Sequence, residues 1–393
     1  MKILSINAGS SSLKFTLYKM PEEEKIVTGQ FERIGIKDGS YKIKVNGEKI
    51  EKKHDLKDHK VAIDILLKEL LDLNIIKDLN EIKAVGHRVV QGADKYDDSV
   101  VITDEVVKNI EKFASLAPLH NPANLIGYQA VKEKLKDAKH VAIFDTAFHQ
   151  SIPKVKYTYP LPLEFLDLKV RKYGFHGTSH KYITEYMQKY LNKDKVNLII
   201  CHIGNGASIT AVKDSKSFDT SMGFTPVSGL MMGTRCGDID ISIAPYIMEE
   251  LNISIEEFMN ICNKKSGLLG ISEYSSDSRD IEAKVAENDE KAILATDIYA
   301  DKVVSYIANY YFALEGKLDG IVFTAGIGEN SNTTRKRIID KLKCIDIYLD
   351  EKINDETRGS FGIISSIKSK YKVYVVPTDE EVEIARNTYR LTK

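Results

Sequence analysis

Two arginines, two histidines four residues apart and one aspartate are the residues of this chain with the most chemistry to offer. Arg88 ends a predicted strand in "GHRVV", and Arg235 lies in the glycine-rich stretch "MGTRCGD". The planar fork of a guanidinium suits carboxylate and phosphoryl oxygens, although an arginine taken singly is more often a surface ion pair. His176 and His180 stand in "YGFHGTSH"; no glutamate follows His176, so the HExxH pattern of a zinc site is absent. His180 reads as a local cap or orienting group, and His120 and His149 as packing or supporting residues. Asp145 closes the apolar run "HVAIF", where a carboxylate is costly to bury without a partner. A loop cap and a salt bridge to Arg88 are its plainest roles.

Three glycine-containing stretches add a second kind of chemistry. "NAGSSS" follows the apolar residues Ile3 to Ile6, "GNGAS" follows "VNLIICHI", and "AGIGENS" follows "GIVFT". Turns of Gly, Asn and Ser expose backbone N–H groups and hydroxyls that converge on phosphate oxygens. One such turn is usually only a connection; three after buried strands point to a polyphosphate. The familiar nucleotide signatures are missing: there is no GxxxxGK[ST] loop, no GxGxxG opening a helix after the first strand, and no HRD/DFG pair. "GSSSL" also departs from the GxSxG pattern of hydrolases.

The elements that must carry these groups follow from periodicity. Ile3–Ile6 and the alternating Leu13, Phe15 and Leu17 predict a strand, a six-residue turn over Asn7–Ser12, and a second strand. Short strands follow from Gly29 to Lys53, with an Asn46-Gly47 hairpin signal. Helices are expected near 57–73 and 104–116, and buried strands at "IKAVGHRVV" and "HVAIF". Pro153 opens an irregular link, so one domain spans 1–150. A second, 151–377, repeats the plan with a strand, a turn over Gly204–Ser208 and another strand. A third glycine turn is expected after Ile321–Thr324, and a terminal helix over 378–393 with an acidic first turn is expected to pack back on the first domain.

Bulk composition narrows the partners. In 393 residues, 56 Lys and Arg face 57 Asp and Glu, a formal net charge of −1, so no global field attracts nucleic acid or an anionic membrane. Cys201, Cys236, Cys262 and Cys344 are scattered, without a CxxC pair, which fits a reducing compartment. No apolar run reaches the ~18–20 residues of a membrane span, and Met1-Lys2 leads directly into a strand. A cytoplasmic location is expected, with no membrane and no nucleic-acid partner.

The stretches "SINAGSSSLKF", "GHRVVQGAD", "FDTAFHQSIP", "YGFHGTSH", "CHIGNGASI", "MGTRCGDID", "SSDSRDI", "FTAGIGENS" and "PTDEE", in this order from residue 1 to about residue 390, resemble the acetate kinase family. The resemblance implies an α/β fold of duplicated ribonuclease-H-like, actin-like ATPase domains with an interdomain cleft. The first domain would hold the acyl site and a phosphate hairpin, the second the nucleotide. It implies Mg²⁺-dependent, reversible phosphoryl transfer from ATP to acetate by direct in-line attack, giving acetyl phosphate and ADP, with Mn²⁺ able to replace Mg²⁺, in a homodimer. A propionate or other short-chain acyl kinase is the alternative, because one methylene in an apolar pocket is worth only ~1–3 kcal/mol. An ATP-driven binding module on the same fold is disfavoured by the acyl-kinase motifs.

Carried over by motif, Arg88 holds the carboxylate, Arg235 stabilises the transition state, His176 donates to an equatorial phosphoryl oxygen and Asp145 is catalytic, orienting an arginine or the metal's water shell. Asn7 and Glu380 match the metal positions. Ser12, Lys14, His202, Ile203, Gly204, Asn205 and Gly206 match the phosphate contacts. Asp277, Ser278 and Arg279 match the adenine end, and Gly326, Ile327, Gly328, Glu329 and Asn330 the ribose and adenine surroundings. Val90, Leu119, Phe175 and Pro226 match a small apolar pocket. Gln91, Ala93, Lys172, Cys236 and Ile241 depart from the family's usual residues; none of them is a named catalytic group.

Overall fold

The opening hairpin is tighter than its polar stretch suggests. In the computed structural model, which describes residues 1–118 and 120–393, β1 (Lys2–Ala8) and β2 (Ser12–Lys19) pair antiparallel, with Asn7 opposite Lys14 and Ala8 opposite Leu13. The expected six-residue turn shrinks to Gly9-Ser10-Ser11, closed by Gly9 N donating to the Ser12 carbonyl at 2.8 Å. The same correction applies to the second hairpin: β9 (Leu198–Ile203) and β10 (Ala207–Lys213) place Ala207 opposite Ile203, so Ala207 and Ser208 belong to the strand. Polar residues at strand ends gain ladder hydrogen bonds for their backbones, which turn propensity does not count.

Each half is built on one mixed sheet. In the first, β3 (Glu24–Glu32), β4 (Ser40–Val45), β5 (Glu48–Lys53), β6 (Ile82–Val89), β7 (Val100–Val101) and β8 (Lys139–Phe144) complete the order β5-β4-β3-β2-β1-β6-β8-β7. β1, β6 and β8 run parallel. Asn46 and Gly47 both take positive φ, 51° and 82°, as a tight hairpin turn requires. Alternation along β8 sends Ala142 and Phe144 to one face and Val141 and Ile143 to the other. The helices His59–Asp72 and Asn121–Lys134 cover the first face. The helix Glu380–Thr392 packs Ile384 on the second, where Gly86 makes room: a Cβ there would lie 2.5 Å from Ile384 Cγ2.

In the second half β11 (Lys216–Thr220), β12 (Gly320–Thr324), β13 (Gly362–Ile363) and β14 (Val373–Val375) give the order β11-β10-β9-β12-β14-β13. β9 and β12 are buried throughout, as central parallel strands are. The runs β3-β2-β1-β6-β8 and β11-β10-β9-β12-β14 repeat one arrangement, an antiparallel hairpin continued by parallel strands, and the fold is the expected duplicated α/β class. The third glycine turn is absent. β12 enters the helix Ala325–Asn330 directly, with Ala325 at φ 65°. The cause is Glu329, whose Oε1 accepts from Ala325 N at 2.8 Å and Thr378 N at 3.0 Å and so fastens the start of the helix. Contacts divide the chain into Met1–Gln150 with Asp379–Lys393, and Ser151–Thr378. No described helix is long and apolar enough to cross a membrane.

Candidate active site

The ends of three neighbouring parallel strands gather the polar residues of the first unit, where ligands of open α/β sheets sit. Asn7 lies near the end of β1, Arg88 near the end of β6, and Asp145 directly after β8, its N–H donating to the Val89 carbonyl at 3.0 Å. Arg88 Nε donates to both Asp145 oxygens, at 2.9 and 3.0 Å, and Nη2 to Oδ2 at 2.5 Å. Nη1 points elsewhere and donates to Asn7 Oδ1 at 3.2 Å. Asp145 is 1% exposed. Burial opposes the guanidinium charge, yet the Asp145, Glu380 and Glu381 carboxylates together raise the Arg88 pKa above its ordinary value.

Glu380, in the first turn of the terminal helix, keeps part of its surface open but is sunk among protein groups on its other sides. Burial pushes its carboxyl up to about 7; Arg88 opposes the shift, Asp145 and Glu381 add to it, and Lys14 opposes it. Asn7 and Glu380 are the hard oxygen donors that magnesium prefers, and one or two protein ligands suffice for it in nucleotide sites. The residues therefore fit the ion, although no cluster of three His, Cys, Asp or Glu groups occurs among the described residues. Lys14 is exposed on β2 opposite Asn7. Ser12 begins that strand. Val90 is buried, its N–H donating to Asn124 Oδ1 at 3.0 Å. Leu119 lies outside the described residues.

Asn124 was not among the expected site residues. Its Nδ2 donates to the Ala8 carbonyl at 2.7 Å, so one amide ties the ends of β1 and β6 together. Asn121 binds both backbone groups of Gln91 at 3.0 Å. The signal in "HNPAN" is two asparagines at the start of a helix, a place where amides usually serve as caps.

In the second unit His176 stands just before the helix Gly177–Leu191 with φ 57°, a left-handed backbone uncommon outside glycine. Its Nδ1 lies 3.0 Å from Ser208 Oγ, and His180 Nε2 lies 2.8 Å from the same hydroxyl. The His176 ring stacks on His202, centroids 4.2 Å apart. His202 Nδ1 meets Ser179 Oγ at 2.8 Å, and Ser179 meets Thr378 Oγ1 at 2.7 Å. Arg235 is drawn to the same place: a Cβ on Gly206 would lie 3.5 Å from Arg235 Nη1 and 3.6 Å from His176 Nε2. Nη1 contacts the Pro226 carbonyl at 3.4 Å and Met232 Sδ at 3.7 Å, and Arg235 makes no ion pair among the described residues. Burial lowers its pKa. Phe175 is fully buried beside this cluster's helix.

An open groove of about 880 Å³ lies within the same unit, a size suited to a nucleotide. Gly204, Asn205, Asp277, Ser278, Arg279, Gly326, Ile327 and Asn330 line it. Asp277 caps the helix Ser278–Ala286 through Arg279 N and holds the Arg279 guanidinium with both oxygens, which keeps its carboxyl down at about 2. His202, Ile203, Gly206, Gly328 and Glu329 are not among the residues lining it. Ile203 is wholly buried, and the Gly328 carbonyl accepts from Arg335 Nη1 at 2.9 Å. The groove adds Glu282, Thr333 and Arg358, which lie outside the motif stretches.

Known proteins match this chain along almost its whole length. The model of the Acetokinase family matches residues 2–386. The chain is 51% identical over 395 aligned positions to the acetate kinase of Bacillus subtilis (strain 168), covering 100% of both. It is 50% identical over 390 positions to that of Macrococcus caseolyticus, covering 98% of both. Among solved structures, Porphyromonas gingivalis acetate kinase superposes with a TM-score of 0.93 at 42% identity, covering 100% of both chains. A propionate kinase from Francisella tularensis superposes at 0.95 with 41% identity, covering 99% of both.

Proposed function

The chain belongs to the acetokinase family, and from that premise we propose that it transfers the γ-phosphoryl group of ATP reversibly to acetate. The observation that carries the reading is the Arg88 fork, anchored on one edge by Asp145 and turned toward Asn7 on the other. An arginine held this way presents a fixed N–H edge to a carboxylate. Acetate is already deprotonated, so the step needs alignment and charge neutralisation rather than a base. A carboxylate oxygen forms a bond to the γ-phosphorus as the bond to the bridging β–γ oxygen breaks. The electron pair leaves with ADP, and no proton changes place.

His176 Nε2 and the Arg235 guanidinium supply donors for the phosphoryl oxygens. The groove bounded by Asp277 and Gly326 takes the nucleoside. Asn7 and Glu380 would hold Mg²⁺, which when bound neutralises charge on the β- and γ-phosphates; Mn²⁺ can replace it. Val90 meets the acyl group and favours a short one. A homodimer in the cytoplasm completes the reading. In support of the dimer, the helix Ile243–Leu251 buries none of its residues, and Ile241 beside it is 86% exposed.

One assay tests the reading. The protein is incubated with MgATP and acetate, propionate, butyrate or glucose; ADP is followed, and hydroxylamine traps any acyl phosphate. Acetyl hydroxamate formed in step with ADP supports it. A larger kcat/KM for propionate than for acetate would move the protein to the propionate kinases, and ADP release without hydroxamate would exclude acyl phosphate formation.

A further inference from the structure

The Ser208 hydroxyl is shared by two imidazoles, His176 Nδ1 at 3.0 Å and His180 Nε2 at 2.8 Å. Ser208 is fully buried on β10 and faces His202 across the ladder, which places its side chain beside the ring stacked on His202. A hydroxyl has one proton to give and two lone pairs, so it donates to at most one of the rings. Three arrangements follow: His180 donates to Ser208 and Ser208 to His176, the order runs the other way, or both rings donate to Ser208.

We propose that Ser208 is a positioning residue that fixes His176 as the tautomer protonated on Nε2. The inference rests on the phosphoryl-transfer reading above. His176 Nε2 and Arg235 Nη1 flank the same point beside Gly206, and that arginine has no ion-pair partner among the described residues, which suits the point to an anion. A neutral imidazole presenting a lone pair there would repel phosphoryl oxygens; one presenting N–H stabilises them. Only the sense His180 Nε2–H to Ser208 Oγ, and Ser208 Oγ–H to His176 Nδ1, leaves that N–H in place on a neutral ring. Stacking on His202, itself tied to Ser179, holds the ring in the orientation that keeps Nδ1 at Ser208 and Nε2 beside Gly206.

Two-bond ¹H–¹⁵N spectra of the full-length protein labelled on histidine read the tautomer directly, with His176→Asn assigning the signals. The expected native spectrum has His176 Nε2 protonated and Nδ1 bare. Ser208→Ala should mix the two tautomers and lower kcat about tenfold, the weight of one lost hydrogen bond, with KM for acetate and ATP within twofold. Ser208→Thr, which restores a hydroxyl, should recover most of kcat. A native His176 protonated on Nδ1 or on both nitrogens overturns the proposal. So does a Ser208→Ala variant with native tautomer and kcat. Should the alanine variant fail to fold, the native spectrum and Ser208→Thr decide alone. A native protein that forms no acyl phosphate removes the functional reading, while the spectrum still reports the tautomer.

Discussion

Arg88 gives Asp145 one whole edge of its guanidinium, Nε and Nη2, and keeps Nη1 for Asn7. The pair is asymmetric in its surroundings as well: Asp145 is almost completely enclosed, whereas the Arg88 side chain is 21% exposed. The aspartate is thus an anchor, and the arginine is the partner that can reach a ligand.

Removing the arginine takes the paired positive charge from a buried carboxylate, so Arg88→Ala should cost stability as well as turnover, on the order of 3 kcal/mol. Arg88→Lys keeps a charge but not the fork. It should recover part of the melting temperature and little of kcat. Thermal melts run beside steady-state assays check this; an alanine variant with a native melting temperature would mean that the ion pair adds nothing to stability.

Arg235 should behave in the opposite way. Its guanidinium is desolvated without an ion pair among the described residues, so Arg235→Ala should leave stability unchanged or slightly higher. Turnover should fall by more than a hundredfold, the effect of losing one oriented transition-state donor at roughly 3–4 kcal/mol. A clear loss of stability with modest loss of turnover would make the residue structural.

A buried histidine pair predicts acid lability. His140 Nε2 lies 3.2 Å from the Leu135 carbonyl, and its Nδ1 lies 3.0 Å from His87 Nε2. Burial lowers both pKa values, most strongly for His87. The unfolded chain then binds more protons than the native one below about pH 6.5, so stability is full above that pH and lost as pH falls. Each ring contributes up to about 1.4 kcal/mol per pH unit. Urea denaturation at pH 7.5 and 5.5 should show the drop, and His87→Leu should flatten it; an equal slope in that variant refutes the assignment.

Two glycines should separate support from contact. Gly267 takes φ 66°, and a Cβ there would lie 2.1 Å from the Met232 carbonyl oxygen and 2.8 Å from that of Arg235. Gly267→Ala should therefore destabilise by about 1–3 kcal/mol and displace the Arg235 turn, lowering kcat. A Cβ on Gly326 meets nothing within 4 Å, yet it projects from a residue lining the groove. Gly326→Ala should leave the melting temperature unchanged and raise KM for ATP severalfold. Unchanged KM would place the nucleotide elsewhere.

Much of this protein is legible in its residues alone, for a local reason. Alternating Leu13, Phe15 and Leu17, the apolar run of β9, the Asn46-Gly47 turn and the acidic start of the terminal helix depend on neighbours a few residues away. The motif stretches that carry the family are likewise contiguous. Most residues lining the groove lie in those stretches, whereas Glu282, Thr333 and Arg358 do not.

Other features depend on residues far apart meeting in register. Asn7 and Ser208 sit in strands because their backbones find partners, which no turn preference reveals. The helix after Thr324 owes its start to Glu329 bonding back to Ala325 and across to Thr378. Asn124 reaches Ala8 across 116 positions, Arg88 reaches Asp145 across 57, and which edge of the guanidinium meets the aspartate is set by the β6–β8 register. Side-chain chemistry names the groups, but a hydrogen bond is directional and short, so only the tertiary structure decides which groups share one.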